Sequence, residues 1–166
     1  MAKLTGRALE IVTSGQNHAH VAVPTADGTV QTVIAWTHVD DDGNLTLNTT
    51  EGRAWPKNLR RAGTATLTLL GDGNPNEYVS IRGRLIGDTA DGAEEHIDQL
   101  SQKYLGESPF PYREPGEQRV RLTLEPIAEP LTELSLDARG MDIASVIVPG
   151  HACRFTHQSE KLMISF

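Results

Sequence analysis

Residues 64–85 constrain the fold more than any other stretch of this chain. TATLTLL, residues 64–70, alternates Ala65, Leu67 and Leu69 against threonines, the pattern of a strand buried on one face. GDGNPNE turns it back, and EYVSIRGRLIG then puts Val79, Ile81, Gly83 and Leu85 on one face, with Tyr78, Ser80, Arg82 and Arg84 on the other. Two long alternating strands joined by a Gly/Asn/Pro turn require an antiparallel sheet with one covered face.

The rest of the chain repeats this device. His20–Pro24 and Thr29–Trp36 flank the turn dipeptide Asp27-Gly28, and Thr37–Leu47 turns around Asp42-Gly43-Asn44. Arg119–Glu125 resumes alternation through Val120, Leu122 and Leu124, after a segment, 107–118, rich in Pro and turn residues. Three helices interrupt the strands. Residues 4–15 space Leu4, Ala8, Ile11 and Val12 helically, and residues 56–62 follow Pro56 and stop at Gly63. The longest runs from Ala93 to Tyr104, with an apolar stripe at Ala93, Ile97, Leu100 and Tyr104 and Gly106 at its C-cap. The expected fold is mainly β: a six-stranded antiparallel barrel, closed because closure removes exposed edges, with two or three peripheral helices. The interior of so small a barrel is filled by side chains, so a ligand belongs in a groove outside it, of the kind a second subunit completes.

At 166 residues the chain is expected to be one domain, its core at about 16–127 and residues 128–166 an extension with two weak strand signals, ASVIV and KLMISF. A net charge of -7 argues against nucleic acid or an anionic membrane as partner. The single cysteine, Cys153, excludes an internal disulfide; no apolar run approaches bilayer length and the N-terminus lacks a signal-peptide core, so a cytoplasmic protein is expected.

Against this acidic background one segment is locally basic. Residues 53–61 carry Arg53, Lys57, Arg60 and Arg61 and no carboxylate. A strand ending in Thr49 and Thr50 turns at Glu51-Gly52, and a helix restarts at Pro56, so free N–H groups and the positive end of a helix dipole lie beside Thr49, Thr50, Arg53 and Lys57, a cradle for a phosphate. Arg60 and Arg61 read as a solvated face. His18 and His20 read as a surface or core pair, and His151, Cys153 and His157 as a tail without a metal framework, so no metal is expected. Trp36 reads equally as a core aromatic or a substrate wall, and Tyr78, Tyr104 and Tyr112 are the only candidates for a phenolic proton donor.

Four segments in order, LNTTEGRAWPKNLRR, NPNEYVSIRGRL, EEHIDQLSQKYLG and YREPGEQRVRLTLEP, resemble the flavin and deazaflavin oxidoreductases of the split β-barrel superfamily, the pyridoxamine 5′-phosphate oxidase-like fold, and most of all its branch that uses coenzyme F420. The resemblance spans residues 16–127. It implies a homodimer with each cofactor between subunits, and hydride transfer from reduced F420 to an electron-poor C=C, C=O or C=N bond of a small organic substrate. By position, Thr49, Thr50, Arg53, Lys57 and Asn58 are implied at the phosphate end, and Asn48 among the cofactor-binding residues. The strand Gln31, Thr32, Val33, Ile34 to Trp36 is implied along the ring, and Tyr78, with residues near Tyr112 and Arg119, is implied to reach the site from the partner. Many relatives carry lysine where this chain has Trp55, three residues before the Asn58-Leu59 pair; Trp55 then stacks on the ligand or walls the groove. FMN is the alternative cofactor, and a non-catalytic protein binding F420, haem or a tetrapyrrole the alternative function. No nucleophile, triad or paired-carboxylate motif is present, as expected where a cofactor carries the chemistry.

Overall fold

A computed structural model describes residues 3–71, 74–127, 133–147, 152–158 and 160–165. The chain forms two compact units, Met1–Ala128 and Glu129–Phe166.

The first unit holds α1 (Gly6–Thr13), β1 (Ala19–Pro24), β2 (Val30–Ala35), β3 (Thr37–Val39), β4 (Leu45–Thr50), α2 (Ala54–Ala62), β5 (Thr64–Gly71), β6 (Asn74–Thr89), α3 (Ala93–Leu105) and β7 (Arg119–Pro126). Its seven strands form one antiparallel sheet in the order β2-β1-β5-β6-β7-β4-β3. The outermost strands, β2 and β3, are consecutive in the chain and separated only by Trp36. One stretch, Val30–Val39, therefore runs along both edges of the sheet and curls it into a barrel. The sheet has seven strands where six were expected, with the short β3 as one of its two edges.

The alternating positions read from the sequence fill the barrel. Val21, Val23, Leu45, Leu47, Leu67, Leu69, Leu122 and Leu124 are all fully buried in one cluster. β6 and β7 approach closely where Gly83 faces Leu124: a β-carbon on Gly83 would lie 3.0 Å from Leu124 Cβ. Ile11 and Val12 of α1 and Trp55 and Leu59 of α2 pack into the same cluster. α3 buries Ile97, Leu100 and Tyr104 against Trp36 and Phe110.

α2 begins at Ala54, two residues earlier than the sequence reading placed it. Pro56 is its third helical residue, and the N–H that proline lacks is one of the four that a helix start leaves unbonded in any case. The C-terminus ends as expected, with Gly63 left-handed at φ 70° and its N–H donating to Leu59 O at 2.8 Å.

The second unit is a three-stranded antiparallel sheet, β8 (Glu133–Asp137), β9 (Arg154–Gln158) and β10 (Lys161–Ser165), with β10 central. Ala138, Leu162 and Ile164 form its core. β10 is the expected KLMISF strand. Residues 144–147 of the other expected strand, ASVIV, adopt no regular element, and Val148 lies outside the described residues.

Candidate functional site

The break at Trp36 opens the barrel. β3 pairs with β4 from Thr37↔Leu47 to Val39↔Leu45, whereas the chain before Trp36 pairs with β1 instead. β4 continues to Thr50 with β7 on one side, through Asn48↔Arg121, Thr49↔Val120 and Thr50↔Arg119, and with no ladder partner among the described residues on the other. β2 likewise has β1 on one side and no strand partner among the described residues on the other. Ile34, Ala35 and Trp36 face Asn48, Thr49 and Thr50 across this split, and together they line a cavity of about 230 Å³.

Seven of the residues anticipated from the sequence meet in this cavity: Ile34, Trp36, Asn48, Thr49, Thr50, Arg53 and Trp55. Thr49 is buried and its Oγ1 has no hydrogen-bond partner. Trp55, 6% exposed, both packs in the barrel core and walls the cavity. Arg53 caps α2 with no side-chain hydrogen bond to the helix. Neither Arg53 nor Lys57 forms an ion pair among the described residues, whereas Arg60 pairs with Glu51 and Asp88, each at 2.5 Å, and Arg61 donates to Pro24 O. Arg60 and Arg61, read as a solvated face, therefore tie α2 to the barrel, leaving Arg53 and Lys57 as the uncommitted cations of the helix.

The other anticipated residues lie outside the cavity lining. Asn58 Nδ2 donates to Gln31 Oε1 at 3.0 Å, joining α2 to β2. Val33 packs on the barrel core, Thr32 and Lys57 are exposed, and Tyr78 stands 63% exposed on β6 opposite Leu70. Trp36 stacks on Tyr104 (5.1 Å, 3°), meets Phe110 edge-on (5.9 Å, 89°) and lines the cavity. The Tyr104 hydroxyl donates to Asn17 O (2.9 Å) and accepts from Thr37 N (3.2 Å), a structural role, with burial pushing its pKa up. Tyr112 lines a neighbouring cavity of about 590 Å³ that shares Thr50, Arg53, Phe110 and Arg119 with the first.

Trp36 Nε1 donates to His18 Nε2 at 3.2 Å, and His20 is exposed on β1. Among the described residues no three His, Cys, Asp or Glu side chains converge on a metal-sized point; His151 of the tail lies outside them.

Phe110, Ile97 and the same chain's Arg119 complete the lining and were not assigned there from the sequence. Arg119, 9% exposed, is held from three sides. Nη1 donates to Asn48 Oδ1 (3.1 Å), Nη2 to Glu117 Oε2 (2.8 Å), and the guanidinium lies 4.7 Å over the Phe110 ring; Nε has no partner. The Asn48 amide is itself oriented, Nδ2 donating to Ala93 O at 2.7 Å and facing His96 Nδ1 at 3.3 Å. On its far side His96 Nε2 meets Thr46 Oγ1 at 3.0 Å, and that hydroxyl donates onward to His38 O. Only one assignment satisfies the series: His96 is neutral, its Nε2–H donates to Thr46, and its Nδ1 accepts from Asn48. Burial first, then Arg121 and His38, holds the His96 pKa down at about 4. A trace of this was legible in the sequence: His96 lies three residues after Ala93 and four before Leu100, inside the apolar stripe of α3.

No family model matches the sequence, and no curated protein matches it. Solved structures do. An F420 reductase aligns over 75% of this chain and 97% of its own length at 22% identity and a TM-score of 0.64. A conserved hypothetical protein from Mycobacterium tuberculosis aligns over 75% and 82% at 20% and 0.55. A protein described as a pyridoxamine 5′-phosphate oxidase from Listeria innocua aligns over 71% and 89% at 17% and 0.52. At these identities the likeness is one of fold, and the fold is the split β-barrel that the four sequence segments resembled. No described helix is long and apolar enough to cross a membrane.

Proposed function

We propose that this chain is an F420-dependent reductase, acting as a cytoplasmic homodimer with the cofactor at the split. One observation carries the reading: the free edge of β2 faces a helix start where Arg53 and Lys57 are uncommitted and the Thr49 hydroxyl is buried without a partner. A buried hydroxyl lacking a partner costs about 1–3 kcal/mol, a cost a bound acceptor removes. Two unpaired cations beside an uncapped helix start suit a phosphate. Reduced F420, when bound, supplies a hydride to an electron-poor C=C, C=O or C=N bond of a small organic acceptor.

The protein's share is binding and orientation. Thr49, Thr50, Arg53 and Lys57 hold the phosphate end, and Asn58, already donating one N–H to Gln31, offers its second. The N–H and C=O groups of Gln31–Trp36 that point away from β1 orient the ring, with Asn48 and Trp55 at the wall. Trp36, Phe110 and Ile97 exclude water, which strengthens every polar contact inside. The proton that completes reduction comes from water or from Tyr112 in the adjoining cavity. Val30, Ile34 and Tyr78 are each more than 60% exposed, apolar area suited to a partner subunit. FMN is the second reading, favoured by Trp55: its indole occupies the place of a cation and leaves the phosphate to Arg53 and Lys57 alone.

Calorimetric titration with F420 and, separately, FMN decides between them. Arg53→Ala and Lys57→Ala are each expected to weaken binding of the preferred cofactor by about 1.5–3 kcal/mol, the worth of a charge-assisted contact. Unchanged affinity in both variants refutes the site.

A further inference from the structure

A second cavity, of about 530 Å³, lies on the other side of the His96 network, and four basic side chains line it: His38, His96, Lys103 and Arg121. Lys103 is half-buried and pairs with no carboxylate among the described residues; its Nζ lies 5.0 Å from the Tyr104 ring centroid and donates to Val12 O (2.8 Å) and Thr37 O (3.1 Å), which leaves one N–H without an oxygen acceptor. Arg121 forms no ion pair among the described residues, and its Nε is buried without a hydrogen-bond partner. Two acids share the lining. The carboxylate of Asp40 is occupied by its own turn, accepting from Asp42 N, Asn44 N and Asn44 Nδ2, and Asp41 is exposed.

The histidines register the resulting field. His38 is held below its ordinary pKa by burial and then by Lys103, against the opposing pull of Asp40 and Asp41. His96 is held down by burial, then by Arg121 and His38. A histidine can shed its charge in such a place; a guanidinium cannot. Partly burying an unmatched cation is costly, and the arrangement is stabilised by whatever brings a negative charge and acceptor atoms to it.

We propose that this cavity binds a small oxyanion, carboxylate or phosphate, at a site separate from the split. The Arg121 fork and the remaining Lys103 N–H supply charge and direction, and the Gln99 amide supplies a neutral donor. His96 lines this cavity and also orients Asn48, which lines the split, so one neutral imidazole lies between the two sites.

The test is calorimetry on the full chain carrying Arg53→Ala and Lys57→Ala, which removes phosphate binding at the start of α2, with inorganic phosphate and malonate as probes at constant ionic strength. Saturable binding of either is expected, with an upward move of the His38 titration midpoint followed through its ring protons by NMR. Adding Arg121→Gln is expected to weaken binding at least ten-fold, and Lys103→Met does the same if that variant stays folded. Binding of phosphate alone identifies a tetrahedral ligand, of malonate alone a dicarboxylate, and of both a site selective for charge. Absence of saturable binding by either probe, or equal binding after Arg121→Gln, overturns the proposal. Because the cofactor-binding variants are the background, failure here leaves the reading of the split untouched, and failure of that reading leaves this one standing.

Discussion

Replacing His96 by glutamine tests the hydrogen-bond series at its centre, because the buried neutral imidazole ties stability to pH between 7 and 5. In the unfolded chain His96 titrates near 6.5; in the folded protein burial holds it near 4. The folded-state pKa is depressed, so the unfolded chain takes up the proton first, and stability that is fully present above pH 6.5 is lost as pH falls toward 4. A separation of two and a half pH units corresponds to about 3.4 kcal/mol in total, of which about 2 kcal/mol is lost between pH 7 and pH 5. The depressed carboxyls, Asp27, Glu51, Glu77 and Asp98, lose their contributions only as pH falls through the carboxylate range, below this interval. His38, also held down by burial and then by Lys103, is present in both proteins. Urea unfolding at pH 7, 6 and 5 is expected to show the wild type losing about 2 kcal/mol more than His96→Gln across the series. The variant starts lower at pH 7, since Asn48 Nδ2 loses its acceptor, but its curve is flatter. Parallel curves refute both the neutral state and the orientation of Asn48 that depends on it.

Two further outcomes follow from packing. Gly83→Ala places a β-carbon 3.0 Å from Leu124 Cβ across paired strands, where neither backbone gives way freely, and is expected to destabilise the barrel by about 1–3 kcal/mol in urea unfolding. Unchanged stability there means that β6 and β7 lie further apart. A chain of residues 1–128 contains every strand of the closed sheet and is expected to unfold in a single cooperative transition with dispersed amide resonances; a collapsed, undispersed spectrum rejects the barrel as an independent unit.

Most strands were legible because alternation and turn dipeptides report the same local physics that makes them. Leu67, Leu69, Leu122 and Leu124 announce the covered face wherever the sheet goes. The boundary at Trp36 was read, with Thr29–Trp36 and Thr37–Leu47 as separate segments, but the change of neighbouring strand there was not legible, since Val33, Ala35 and Thr37 continue the alternation straight through Trp36. The start of α2 was misplaced because proline is tolerated anywhere in the first turn, not only at its first residue. That Thr49, Thr50 and Arg53 share one cavity was readable because they lie within five residues of one another. Arg119 reaches the same cavity from the other end of the sequence through the register Thr50↔Arg119, a fact of tertiary pairing that no local window contains.

The break at Trp36 explains how closing the barrel and opening the site are one event. Continuing the β3–β4 register would place Trp36 opposite Asn48, Ala35 opposite Thr49 and Ile34 opposite Thr50, sealing the gap with ladder hydrogen bonds. Ile34 and Ala35 pair with β1 instead, opposite His20 and Ala19, and the packing of Trp36 on Tyr104 and Phe110, with its N–H on His18, compensates at the point of divergence. Exposed strand edges invite pairing with other chains, and proteins cover them or interrupt them. Here β2 keeps a free edge beside an apolar Ile34 that is 65% exposed, and the split behind it holds a buried hydroxyl and a buried guanidinium nitrogen without partners. An edge tolerated in that condition is accounted for if it is covered in the working protein, by a cofactor lying along its backbone and a second subunit over its apolar face. Trp36→Ala tests the account: removing the aromatic compensation while keeping the alternation lets β2 drift toward β4, so cofactor affinity falls before the barrel's stability does.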